Sequence, residues 1–245
     1  YQVEVTPDRG ELEESGIVIF RVREGERTQV TGVRFQGNDS VPAKQIRSEI
    51  QTKKRILFFN APLDNDTLDA DVATIVGLYQ NRGFLDVRCS REITLSPTAK
   101  EAIVTFVIDE GPRYLLREVI VEDMRGEPWI VEDHVVSAEQ IRAWITLKPG
   151  DIFEANRALA GVRAVMNSYN RMGYVDAAVR RQDLRAIDEP RVDLRVRISE
   201  GERFRTGLVT IQGDELTQSK VIRRGVDTRP GSYLDGTAVE RTWLL

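Results

Sequence analysis

"YQNRGFLDVR" (residues 79–88) and "YNRMGYVDAAVR" (residues 169–180) carry one phrase, Tyr-x-x-x-Gly-aromatic-x-Asp, about ninety residues apart. The spacing has a mechanical meaning. Leu68, Val72, Ile75 and Val76 lead into Tyr79 at helical intervals, so a helix ends there, and Gly83 is placed to take the left-handed conformation that closes it. In such a Schellman cap the side chain at Tyr79 meets the one at Phe84, just past the glycine. Tyr169, Gly173 and Tyr174 repeat the arrangement. Each phrase reads as a helix stop followed at once by a strand, and its recurrence points to a tandem repeat.

Further phrases recur in register. "FRVREGER", "FVIDEGPR" and "VRISEGER" close strand patterns with Glu24–Gly25, Glu110–Gly111 and Glu200–Gly201. Period-two alternation before each gives one buried and one wet face. The inward residues are Val192, Leu194, Val196 and Ile198 in the last, Val104, Phe106 and Ile108 in the second, and Val18, Phe20 and Val22 in the first. "GVRFQGND", ending on Gly37, Asn38 and Asp39, is answered by "GLVTIQGDE" from Gly207, with Val209 and Ile211 inward, and "LREVIVEDMRG" fills the same slot between them. Helix starts follow. Ser137 with Gln140 makes a capping box, Pro42 suits a first-turn position, and Ile222 and Val226 mark the third copy. "LKPGDIFE" and "TRPGSYLD" are Pro-Gly turns into a second helix, for which Asp66 and Asn156 are the expected N-caps.

Each unit thus reads β-α-α-β-β, an α+β fold in which a three-stranded mixed sheet is covered on one face by two helices. Residues 28–113 and 114–203 read as complete copies, 1–27 as the C-terminal part of an earlier one and 204–245 as the N-terminal part of a further one. The chain opens on a strand pattern, "YQVEV", and breaks off within a helical one, "VERTWLL", so it reads as a fragment of a longer protein. A parallel pairing of first and last strands leaves the second strand, residues 86–95 or 177–185, on an edge. Such an edge offers unpaired backbone groups to an extended peptide. The candidate edges are Arg88, Cys89, Ser90, Arg91 and Glu92 in one copy, and Arg180, Arg181, Gln182 and Asp183 in the other. Their arginines are expected to discourage runaway pairing.

Composition narrows the function classes. The net charge of −4 argues against a general nucleic-acid or anionic-membrane surface. No Gly-rich phosphate loop occurs, and the final strands carry Asp193, Arg195 and Arg197 or Ile103, Thr105 and Val107 outward, neither set a stacking platform for bases. Nucleic acid and small-molecule substrates are therefore not expected. No apolar run approaches the roughly 20 residues of a membrane-spanning helix. His134 is the only histidine, beside Glu132 and Asp133, and reads as a surface-loop residue; Cys89 reads as core packing rather than a nucleophile. No catalytic, metal-binding or cofactor-binding residue is assigned, and the chain is read as a non-enzyme without cofactors. Ile103 and Val107 form a candidate shallow apolar patch. The run Ile56 to Phe59 is expected to pack under its own helices.

The motifs in order, Val-x-Phe-x-Gly-Asn, then Tyr-x-x-x-Gly-aromatic-x-Asp, then a strand ending Glu-Gly, resemble the polypeptide-transport-associated (POTRA) domains that stand in tandem in the BamA-like family of outer-membrane β-barrel assembly factors. The residues carrying the likeness are Gly37, Asn38, Tyr79, Gly83, Phe84, Glu110 and Gly111, with Tyr169, Gly173, Tyr174, Glu200 and Gly201 in the second copy. The resemblance implies a periplasmic binding and chaperone scaffold on the bacterial outer membrane. Its partners would be unfolded outer-membrane proteins, accessory assembly proteins and the parent chain's own membrane barrel. A two-partner secretion transporter or a cell-division protein is the alternative setting. Three features depart from the pattern: Gly161 stands where the first copy has the acidic Asp71, residues 125–136 are an insertion, and a hydrophobic "RILFF" (residues 55–59) stands between the helices of the first copy.

Overall fold

A computed structural model describes residues 3–8, 19–24, 28–54, 61–210, 212 and 228–242. The chain divides into two compact units, residues 1–80 with 84–111, and residues 81–83 with 112–245.

The first unit opens with an antiparallel ribbon of β1 (Val3–Asp8) and β2 (Ile19–Glu24), in which Val3 lies opposite Glu24. Then come β3 (Gln29–Gln36), α1 (Ala43–Glu49), α2 (Asn65–Gln80), β4 (Arg88–Leu95) and β5 (Glu101–Asp109). The sheet order is β3-β5-β4, with β5 parallel to β3 and antiparallel to β4. Alternation along β5 sends Val104, Phe106 and Ile108 into a core with Ile46 of α1 and Leu68, Ile75 and Tyr79 of α2. Both helices thus pack on one face, as period-two patterning requires.

The second unit repeats the plan with β6 (Leu115–Asp123), α3 (Ala138–Trp144), α4 (Ala155–Arg171), β7 (Ala178–Arg185) and β8 (Arg191–Ser199) in the order β6-β8-β7. It ends with α5 (Gly236–Thr242). Within this unit Phe204 N–H donates to the Gly173 carbonyl at 2.8 Å, and the Arg203 guanidinium lies 3.3 Å from the centre of the Tyr233 ring.

The Schellman caps form as the repeated phrase predicts. Phe84 N–H donates to the Tyr79 carbonyl and Tyr174 N–H to that of Tyr169, at 3.1 and 3.0 Å. Gly83 and Gly173 sit at φ +92° and +98°, and the paired rings meet edge to face at 5.7 and 6.1 Å. The capping box at Ser137 and Gln140 is complete.

Several local expectations are corrected. The carboxylate that accepts Thr67 N–H at the start of α2 is Asp64, not Asp66. Asn156 lies inside α4, whose N-cap is Glu154. Each cap position lies two residues nearer the turn than expected, and at Glu154 no side chain caps the helix. Pro42 is itself the N-cap of α1, with ψ 136°, because a residue before the first helical turn stays extended. Phe20 is 61% exposed rather than inward, since no helix among the described residues packs on its ribbon; the side chains of Val18 and Val22 lie outside the description. Residues 206–210 form no strand, having no described strand to pair with, and Leu208 is exposed. Ile211, Ile222, Val226 and the Ile56–Phe59 run lie outside the described residues.

Candidate functional site

The signature residues meet at one end of each sheet and build its joints. A Cβ on Gly37 (φ +77°) would lie 2.0 Å from the Ile108 carbonyl oxygen, so only glycine admits that approach. Asn38 Nδ2 donates to the Val41 carbonyl at 2.9 Å. Glu110 accepts Ser40 N–H at 2.8 Å, clasping the loop that enters α1. Gly111 packs against Asp86, the aspartate of the repeated phrase, as Gly201 packs against Asp176. Two motifs that look separate in sequence are halves of one joint.

Glu200 does the same work on the insertion. It accepts Val135 N–H at 3.2 Å, takes the Tyr169 hydroxyl at 2.9 Å and faces His134 Nδ1 at 3.4 Å. Burial and the neighbouring Glu200 carboxylate push the Tyr169 phenol far above its ordinary range. His134 stacks on Trp129 at 3.5 Å, and Trp129 Nε1 donates to the Val136 carbonyl. Glu132, Asp133 and His134 do not converge: among the described residues no group of three or more His, Cys, Asp or Glu side chains is placed to hold a metal.

The departure at Gly161 has a steric reason. In the first unit Asp71 is fully buried and accepts Gln51 N–H at 2.6 Å and Thr52 N–H at 2.8 Å, tying down the chain after α1. In the second unit a Cβ at Gly161 would lie 2.9 Å from Ile145 Cγ2. Apolar contact with Ile145 replaces the carboxylate.

Both second strands stand on sheet edges. Their open backbone groups follow from the ladder. Ser96 N–H donates to the Glu101 carbonyl at 2.8 Å, and the register runs without a bulge to Arg88 opposite Asp109. In an antiparallel ladder bonded residues alternate with outward-facing ones. Ser90 and Glu92 therefore face β5, while Cys89, Arg91, Ile93 and Leu95 turn their N–H and C=O groups outward. The bond from Ala186 N–H to the Arg191 carbonyl sets the same parity in β7, leaving Val179, Arg181, Asp183 and Arg185 outward and Arg180 and Gln182 facing β8.

The arginines divide by side-chain face. Arg88 and Arg180 are exposed. Arg91 folds back to α2, donating to Asn65 Oδ1 at 2.8 Å and pairing with Asp69 at 2.9 Å. Arg181 donates to the Ala155 carbonyl and holds Asp183. These two brace the strand against its helix instead of standing as free charges along the edge, because they share the helix-facing parity of Cys89 and Val179. Cys89 is partly buried against the core, and burial pushes its thiol up to about 11, a poor nucleophile. Past Arg91 the first edge becomes apolar, with Ile93 and Leu95 exposed by 37% and 51%. The second edge stays polar.

The first strands are edges too, and in each an arginine of the following helix fills one outward carbonyl. Arg47 Nη2 donates to the Val33 carbonyl at 3.3 Å, and Arg142 Nε to that of Val119 at 3.0 Å. The matching tripeptides Gln45-Ile46-Arg47 and Gln140-Ile141-Arg142 are a sequence signal of this device. On the face opposite the helices, Ile103 and Val107 are half-buried and apolar. The second unit has ion pairs there: Arg117 grips the buried Asp193 in two bonds, while Arg195 and Arg197 share Glu122 at 3.3 and 3.1 Å.

With the architecture in view, the comparisons place the chain. A family model described as POTRA, "Surface antigen variable number repeat", matches residues 28–111 and 130–201. The chain belongs to the POTRA family. It is similar to a Treponema pallidum (strain Nichols) protein provisionally named an outer membrane protein assembly factor, 25% identical over 89% of this chain and 26% of that protein. It is also similar to the outer membrane protein assembly factor BamA of Neisseria meningitidis serogroup B, 20% identical over 98% of this chain and 30% of that protein. The chain thus spans less than a third of the length of these relatives. In fold it resembles the solved POTRA3-5 of Haemophilus influenzae BamA, with a TM-score of 0.61 at 15% identity over 89% of this chain and 84% of that one.

Proposed function

We propose that this chain is a periplasmic binding and chaperone scaffold of an outer-membrane protein assembly complex, made of two complete POTRA domains (28–113 and 114–203) flanked by partial ones (1–27 and 204–245). Unfolded barrel substrates add as strands to β4 and β7, and accessory assembly proteins dock beside them. The parent chain's own barrel lies in the outer membrane. The observation that carries this reading is the row of outward backbone groups at Cys89, Arg91, Ile93 and Leu95, with the matching row on β7. A guest strand supplies the missing ladder there without any chemical step. Unfolded barrel segments are extended and want backbone partners, and their alternating apolar side chains suit Ile93 and Leu95.

Proline scanning tests this. Ile93→Pro and Asp183→Pro remove donors that face away from the parent sheet, so the fold stays intact while photo-crosslinking of an unfolded barrel segment to probes at Arg88 or Arg180 is lost. Ser90→Pro and Gln182→Pro remove bonds of the sheet itself and weaken folding first. Capture indifferent to Ile93→Pro and Asp183→Pro refutes the reading.

A further inference from the structure

A groove of about 450 Å³ runs along the outer edge of β3, apart from the edges of β4 and β7. Gly32, Val33 and Arg34 of β3, Arg47 of α1, and Lys53 and Lys54 beyond it form its walls, and among the described residues no carboxylate lines it. The strand edge within it is partly open. Because the Val33 carbonyl points outward to Arg47, Val33 N–H points outward too, and alternation turns Phe35 the same way. Earlier along the strand this edge is occupied: Val30 N–H donates to the Ala61 carbonyl at 2.7 Å and Leu63 N–H to that of Thr28 at 2.8 Å. Beyond Val30 no described strand pairs with it.

The cations there are unevenly engaged. Lys53 Nζ caps the Arg47 and Ile50 carbonyls at the end of α1, and Arg47 lies over the Phe35 ring at 5.5 Å. Arg34 and Lys54 are exposed, with no ion pair among the described residues. The corresponding place in the second unit is neutralised. There Arg117 is bound to Asp193, Glu118 follows it, and Arg142 pairs with Glu139 at 3.6 Å. Among the described residues, a cationic groove beside open strand donors is thus found in the first unit and not at the matching place in the second.

We propose that this groove docks an extended acidic segment of a partner protein. The segment's backbone accepts from Val33 and Phe35, and its carboxylates sit against Arg34 and Lys54. Charge complementarity selects the acid, and the open donors select an extended chain over a compact anion. An anionic lipid headgroup leaves the strand donors unused. The inference stands independently of substrate capture at β4 and β7.

The test uses the 245-residue chain and fluorescent peptides of about ten residues, long enough to span one strand. One alternates Asp with Val and the other Lys with Val; phosphatidylglycerol vesicles form a third arm. The Asp-Val peptide is expected to bind, with affinity falling as salt rises. The double variant Arg34→Glu, Lys54→Glu is expected to weaken it at least about tenfold, as like charge replaces opposite charge. Ile93→Pro leaves it unchanged. Circular dichroism verifies that each variant is folded, and Arg34→Gln with Lys54→Gln, which adds no charge, gives a smaller loss in the same direction. Absent binding, equal binding of the Asp-Val and Lys-Val peptides, loss through Ile93→Pro but not through the double variant, or binding to vesicles alone each overturns the proposal.

Discussion

Replacing Asp71 by alanine removes the acceptor of two backbone donors, Gln51 N–H at 2.6 Å and Thr52 N–H at 2.8 Å. Asp71 is fully buried and Thr52 nearly so, so water does not readily replace the carboxylate. Hydrogen bonds to a charged group contribute roughly 1.5–3 kcal/mol each, and an orphaned buried donor costs a similar amount. The lower figure for each of two bonds gives a loss of about 3 kcal/mol in the first unit. At about 1.4 kcal/mol per factor of ten, the slowest amides of β5, such as Val104 and Phe106, should exchange with deuterium about a hundredfold faster. Amides of β8 in the second unit serve as the control, since Gly161 stands in the matching helix and no carboxylate does this work there. Asp71→Asn keeps one acceptor and should fall between. Exchange in β5 within about threefold of the parent after Asp71→Ala would refute the reasoning, because a buried donor orphaned at Thr52 and a second bond lost at Gln51 cannot together cost so little.

Other consequences are open to measurement. Gly37→Ala drives a Cβ to 2.0 Å from the Ile108 carbonyl oxygen at a positive φ, so it should cost about 3 kcal/mol or more, read by the same exchange in β5. Gly173→Ala, at φ +98° with its Cβ 3.1 Å from the Phe204 carbonyl oxygen, should cost about 1–2 kcal/mol, read as an earlier urea midpoint for the second unit. The Asp123 carboxyl is held below its ordinary 3.8 by the backbone N–H of Glu127 first, then by those of Arg125 and Gly126. A depressed carboxyl supports the turn above its unfolded value and loses that support as pH falls through the folded one. The Glu127 amide resonance should therefore titrate with a midpoint below 3.8; a midpoint above 3.8 would contradict the bond.

The periodic parts of the fold were readable in sequence because they depend on side-chain repetition alone. Alternation at Val104, Phe106 and Ile108 named the buried face, and Tyr79-x-x-x-Gly83-Phe84 named a cap whose geometry glycine dictates. The edge position of β4 and β7 followed from topology. What escaped was set by backbone direction and by contacts across the chain. Side-chain alternation gives no information on which N–H groups a strand turns outward; the bonds at Ser96 and Ala186 settle that. Arg91 and Arg181 read as edge charges, yet they share the helix-facing parity of Cys89 and are drawn to the starts of α2 and α4. Asp71 looks like an ordinary helix acid until the chain after α1 folds onto it. The Gln-Ile-Arg repeat was visible, but nothing in one dimension says that its arginine reaches a strand carbonyl.

Backbone amide protection along β4 tests the central claim most directly. In the free protein Cys89, Arg91, Ile93 and Leu95 should exchange quickly while Ser90, Glu92 and Thr94, bonded to β5, are protected. When an unfolded outer-membrane barrel segment is added, the four outward amides should gain protection together and the inward ones should stay as they were. Outward amides already protected in the free protein, or still exchanging freely with the segment bound, would contradict strand addition at this edge.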